Sequence, residues 1–221
     1  EEKRNHLTHV NLSCLSEYYL TQNLRLPYDC LTTCMSVIAF GIVYLTKADP
    51  MTLTPSNLYL GELNDTPLGD FRLVASDLGL IAVEWADNQP ELDAYLEKLK
   101  RPFVTNQKKI APYAKELREY LNGKRTTFTI PIDWTPFTPF QREALQAVFR
   151  VPYGEIRTYI DIAREIDHPH AYRAVGAANA MNPMPIIVPC HRILGTDGKL
   201  HGYGGKGGLK TKAWLLQFQG V

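Results

Sequence analysis

The stretch Met184-Pro185-Ile186-Ile187-Val188-Pro189-Cys190-His191-Arg192-Ile193 constrains this chain more than any other. An apolar run punctuated only by prolines belongs inside a fold, and Ile-Ile-Val between prolines reads as a short buried strand. It delivers a cysteine beside a histidine and an arginine. The thiolate is the reactive form of cysteine, and a neighbouring imidazole or cation favours it. Two readings stand at this point: a reactive thiol, or a small buried apolar residue of the kind many free cysteines are. If the backbone is extended, Cys190 and His191 point to opposite faces. They then form no direct dyad, and a bridging water is the natural link.

Composition narrows the setting. At 221 residues the chain is long enough for one large or two small domains. No apolar run reaches the roughly 20 residues that a bilayer demands. Four cysteines without a regular framework argue for a reducing compartment rather than a disulfide scaffold, so a cytoplasmic or nuclear protein is expected. The net charge of +1 hides an asymmetry. Residues 135–221 carry ten Lys and Arg against six Asp and Glu, and the remainder fourteen against seventeen. Any phosphate contact therefore belongs to the C-terminal half.

Residues 1–55 read as an extension of unknown role. The chain starts at Glu1 rather than Met, so a processed or truncated start is expected, with Met35 and Met51 as alternative natural ones. Cys34 to Leu45 is apolar but too short to span a membrane. Cys14, Cys30 and Cys34 with His6 and His9 match no common zinc-finger spacing, and no metal site is assigned.

From Asn57 the pattern is legible. Asn57–Leu63, Asp70–Ser76 and Leu80–Trp85 read as strands joined by turns at Thr66-Pro67-Leu68-Gly69 and Asp77-Leu78-Gly79. Leu92, Tyr95, Leu96 and Leu99 recur at helical spacing, as do Ala114, Leu117, Tyr120 and Leu121 before the stop at Asn122-Gly123. This α/β unit spans 56–134 and closes on a proline-containing linker, Phe128 to Pro136. A second domain, 135–221, opens at Thr138-Pro139-Phe140-Gln141 with a capping box and a first-turn proline. Thr158 caps the next helix, with Ile162, Ala163 and Ile166 on its apolar face. Asp167-His168-Pro169 interrupts it, and Ala171–Ala180 forms another that ends at Asn182-Pro183. The pair reads as a helix-turn-helix. Its second helix is rich in small residues, Ala174, Gly176 and Ala177 among them. They suit close packing inside the core or close approach to another surface, and Arg173 at the helix start favours the second.

The chain resembles the O6-alkylguanine-DNA alkyltransferases. The resemblance rests on several spaced blocks: Tyr153-Gly154-Glu155, Thr158-Tyr159, Arg173 to Asn179, Asn182-Pro183, Pro189-Cys190-His191-Arg192, Gly202-Tyr203-Gly204-Gly205 and Trp214-Leu215-Leu216. It implies an α+β fold with an N-terminal ribonuclease-H-like domain and a C-terminal winged helix-turn-helix-like domain. It also implies a monomer that needs no cofactor, binds double-stranded DNA containing O6-alkylguanine, and takes the alkyl group irreversibly onto Cys190, once per molecule. O4-alkylthymine is a further substrate in prospect.

Residue by residue, the resemblance makes Arg173 the finger that fills the space of an extruded nucleotide. Ala174, Gly176 and Ala177 become the helix face in the minor groove, and Tyr159 the contact that rotates the base and protonates it. His191 becomes the water-linked base for Cys190, and Asn182 the support of the active-site turn. Tyr203 and Gly204, with Pro185 and the backbone at Ile193, line the substrate pocket. Arg192 is expected to anchor structure. The family's glutamate, which orients the histidine, falls here on Gln219. An uncharged partner predicts a less depressed thiol pKa and slower transfer. The loop Gly204-Gly205-Lys206-Gly207-Gly208 is about two residues longer than usual, which predicts mobility and room for larger alkyl groups; a phosphate cradle is the other reading, though the strand-to-helix pattern is missing. Two other classes remain on the page: a damage-binding module without transfer, which the presence of Cys190 disfavours, and a thiol hydrolase, which would need an oxyanion site.

Overall fold

Alternation between apolar and turn-forming residues after Asn57 produces a four-stranded sheet. The computed structural model describes residues 57–221, so the expected extension, its apolar run and its Cys/His grouping lie outside the described residues. Strands β1 (Leu58–Leu63), β2 (Phe71–Ala75) and β3 (Leu80–Trp85) form an antiparallel meander, and β4 (Phe103–Thr105) adds parallel to β1. The order is β3-β2-β1-β4. Strand β4 escapes the sequence reading because all three of its residues are exposed and carry no burial period.

The sheet is covered on both faces. Helix α1 (Gln89–Leu99) lays Leu92 and Leu96 on Leu58, Val74, Ile81 and Ala82. Helix α2 (Gln107–Leu121) covers the other face with Ile110, Ala114, Leu117 and Tyr120. Gly61 permits that approach, since a Cβ there would lie 2.8 Å from Ile110 Cβ. Cover on both faces explains why β3 reads as a nearly continuous apolar run.

Strand β3 is an edge, and the protein uses it as a mounting rail. The linker pairs with it first: Leu80 N donates to Pro131 O at 2.9 Å and Asp133 N to Leu80 O at 2.9 Å. Buried Asp133 then accepts from Ser76 Oγ at 2.6 Å. Further along, Val83 N donates to Pro183 O at 2.8 Å, tying the sheet to the turn that precedes Cys190.

The C-terminal part is helical. Helix α3 (Pro139–Phe149) begins with the expected Thr138/Gln141 capping box, and α4 (Tyr159–Glu165) with a second box, Thr158/Asp161. Asp167, at φ 59°, turns the chain into α5 (Tyr172–Ala180). Short β5 (Arg157–Thr158) pairs in parallel with β6 (Ile193–Leu194), and α6 (Leu209–Phe218) closes the fold. One continuous core joins Phe71, Trp85 and Tyr120 to Leu145, Val175, Ile187 and Leu215. Among the described residues no helix is long and apolar enough to cross a membrane.

One local expectation is corrected. Ile186-Ile187-Val188 is not a strand but a buried turn, followed by a 3-10 turn at Cys190–Arg192. Prolines 183, 185 and 189 remove the ladder donors a strand needs. Val188 N closes on Met184 O at 2.9 Å, with Ile186 at φ 74°. That conformation costs a β-branched residue on the order of 1–3 kcal/mol and persists only where packing enforces it; Ile186 is fully buried.

Candidate active site

Asn182 ends the helix-turn-helix and builds the turn below it. Its Oδ1 accepts from Met184 N at 3.0 Å, and its Nδ2 donates to Val188 O at 2.9 Å and to Cys190 Sγ at 3.2 Å. A single amide thus fixes the bend and touches the thiol. Cys190 is buried at 8 % exposure and is the free cysteine of the described residues.

The thiol lies where two clefts meet. The smaller, about 190 Å³, is lined by Tyr159, Gly176, Asn179, Cys190, Tyr203 and Gly204. The larger, about 340 Å³, adds Asn182, Pro185 and Gly205, and reaches Glu84 and Tyr95 beside the sheet. Six of the sequence-derived positions, Tyr159, Gly176, Asn182, Pro185, Tyr203 and Gly204, therefore gather around the sulfur. Ile193 does not line either cleft: its side chain is fully buried, and its carbonyl accepts from Lys212 Nζ at 2.7 Å. On α5, Val175, Ala178 and Asn179 face the core, while Arg173, Ala174 and Ala177 are exposed. The small-residue face thus looks outward, and the Arg173 guanidinium lies 5.8 Å from the exposed Tyr172 ring.

The glycine-rich loop is mounted on the sheet. A Cβ at Gly205 would fall 2.4 Å from the Tyr203 ring and 2.7 Å from the Trp85 ring, so only glycine lets the loop pass there. Lys206 pairs with Asp87, and Trp85 Nε1 is itself held by Leu68 O at 3.0 Å.

Behind the thiol sits a buried polar cluster that sequence reasoning only partly foresaw. Arg192 donates from Nη1 to Val151 O at 2.6 Å, from Nη2 to Tyr120 OH at 3.1 Å and from Nε to Gln219 Oε1 at 2.8 Å. Gln219 Nε2 lies 2.7 Å from Tyr120 OH and 2.6 Å from His191 Nε2. Lys212, fully buried in α6, donates to Ile193 O and to His201 O. Neither Lys212 nor Tyr120 was foreseen as part of this site. A lysine in a helix reads as a surface residue, and the partner of Tyr120 lies 99 positions away.

Electrostatics set the working state. Burial pushes the Cys190 thiol above its ordinary value of 9.0, against the Asn182 hydrogen bond and the Lys212 charge, which favour thiolate. Burial, with the Arg192 and Lys212 charges, holds His191 well below 6.5. Burial and the Cys190 charge raise Tyr159 above 10.0, so its phenol keeps its proton. Below its pKa a thiol gains thiolate about tenfold per pH unit. A reaction that uses Cys190 therefore accelerates about tenfold per unit between pH 7 and pH 9. Single-turnover rates against pH check this, and a plateau beginning below neutrality would contradict it.

Known proteins match the chain on both sides of its linker. The model for the 6-O-methylguanine DNA methyltransferase ribonuclease-like domain matches residues 58–134, and that for the DNA binding domain matches 139–221. The inducible methylated-DNA–protein-cysteine methyltransferase of Bacillus subtilis is 39% identical over 151 residues, covering 66% of this chain and 82% of the relative. The methylated-DNA–protein-cysteine methyltransferase of Methanosarcina barkeri is 35% identical over 158 residues, covering 72% and 95%. Among solved structures, Mycobacterium tuberculosis OGT in complex with DNA superposes with a TM-score of 0.59 at 32% identity, covering 74% of this chain and 92% of that one.

Proposed function

The chain belongs to the 6-O-methylguanine DNA methyltransferase family, and from that footing we infer that it repairs DNA by moving the alkyl group of O6-alkylguanine to Cys190 Sγ. The observation that carries this reading is the position of the sulfur. It lies at the meeting of clefts walled by Tyr159 and by the Gly176 and Ala180 edge of α5. A base inside a duplex cannot present O6 there, so the nucleotide must be turned out of the stack, which costs a few kcal/mol. The outward face of α5 is small enough to lie close to a minor groove, and exposed Arg173 at its start can fill the vacated space.

The chemistry balances without a further reactant. A bond forms between Sγ and the alkyl carbon, the carbon–O6 bond breaks, and the thiol hydrogen ends on the restored guanine. Tyr159, kept as a phenol on the wall of the smaller cleft, donates to the departing base. Asn182 steadies the sulfur from the side of the turn. The product is a thioether that nothing in the cleft can cleave, so one protein molecule repairs one lesion. It does so as a monomer without a cofactor, in the compartment that holds DNA.

Titrating a fixed amount of O6-methylguanine duplex with protein tests this. Repair should rise linearly and stop at one lesion per molecule. Repair of many lesions per molecule would overturn the single-use reading, and duplex that is never repaired would overturn the transfer itself.

A further inference from the structure

His191 Nε2 and Gln219 Nε2 lie 2.6 Å apart in a fully buried contact. Two nitrogens at that distance share one hydrogen, so one donates and the other accepts. Arg192 decides which. Its guanidinium has donors only, and its Nε donates to Gln219 Oε1 at 2.8 Å. The amide oxygen therefore faces Arg192 and the NH2 group faces the ring. Rotating the amide by half a turn would set its NH2 against an Arg192 N–H and lose that bond. Arg192 cannot yield easily, because Val151 O and Tyr120 OH hold its other two nitrogens. The second hydrogen of the amide is placed on Tyr120 OH at 2.7 Å.

We infer that Gln219 is a positioning residue that locks His191 as a neutral imidazole with Nε2 bare and Nδ1 carrying the hydrogen. A base for the thiol needs a lone pair on the nitrogen not engaged by its orienting partner, and in this tautomer Nδ1 has none. His191 Nδ1 is buried and has no protein partner among the described residues. Taking up a second proton would set an N–H of the ring against an N–H of Gln219, so the imidazolium is opposed as well. Cys190 is then activated by Asn182 and by the charge of Lys212, and His191 neither receives nor returns its proton.

The inference rests on the alkyl-transfer reading only for its effect on rate, since the tautomer exists without DNA. Long-range 1H–15N spectra of the full chain, labelled at histidine, read it directly. The expected result is a bare-nitrogen resonance at His191 Nε2 and a protonated one at Nδ1. The reverse assignment in the wild-type protein would overturn the inference. In Gln219→Glu the carboxylate accepts from Nε2–H, so the two assignments exchange. Methyl transfer should then rise by about 100-fold, the low end of what a positioned general base contributes. An unchanged tautomer in a folded Gln219→Glu protein would also overturn it. A protein that transfers no methyl group at all leaves the spectrum as the deciding result, so the two readings fail separately.

Discussion

Replacing Cys190 by alanine leaves a folded protein that takes up no alkyl group from a duplex bearing O6-methylguanine. Cys190 Sγ is the thiol at the meeting of the clefts, and the other polar side chains of the smaller cleft, Tyr159, Asn179 and Tyr203, are poor acceptors of carbon. Tyr159 and Tyr203 are both held above 10.0 as phenols. The fold tolerates the change because Asn182 keeps its bonds to Val188 O and Met184 N and loses only the contact to sulfur. Losing one small buried atom costs about 1 kcal/mol, within the range of single-atom core deletions. Binding to the damaged duplex should therefore survive. Intact-mass and binding measurements on the same sample check both halves, and a residual mass increase would place the acceptor elsewhere.

Replacing Arg192 by alanine destabilises the protein by about 3–5 kcal/mol, because several buried partners lose a charged donor at once. Gln219 Oε1, Val151 O and Tyr120 OH all depend on it, and the side chain is 5 % exposed. For a chain of this size that is roughly 10 °C or more in Tm. The guanidinium also packs over Tyr153 at 5.7 Å, which alanine forfeits. Urea unfolding monitored by tryptophan fluorescence gives the value. A loss below about 1 kcal/mol would mean that the cluster relaxes around the gap.

These effects follow from how the fold divides the work. The sheet contributes no reactive group, yet its β3 edge holds the linker at Leu80 and the active-site turn at Val83. Trp85 at the end of the same strand supports the loop that carries Tyr203. The site is thus mounted between the helix-turn-helix and the rail. Glu84, from that rail, enters the larger cleft with a carboxyl raised above its ordinary value by burial.

Much of this was legible in the sequence where local chemistry decides structure. Thr138/Gln141 and Thr158 fix helix starts because their side chains satisfy backbone donors within three residues. The β3 run was readable because both its faces are buried. Ile186-Ile187-Val188 misled for the same reason in reverse. A short, wholly buried apolar run has no period, and the Asn182 amide and the flanking prolines decide in favour of a turn. The charge cluster was the least legible part. Buried Lys212 finds its acceptors in the carbonyls of Ile193 and His201, and Gln219 meets His191 across 28 residues. Such pairings belong to tertiary structure and leave no spacing in the chain. Gln219 could be singled out by position, but the direction of its hydrogen bond could not, because Arg192 sets it.

Transfer to Cys190 is tested most directly by peptide-mass analysis after mixing the protein with duplex DNA carrying O6-methylguanine. One added methyl group is expected, confined to the peptide containing Cys190, with unmodified guanine left in the duplex. Unmodified peptide beside repaired DNA would contradict it, and so would a methyl group on any other residue.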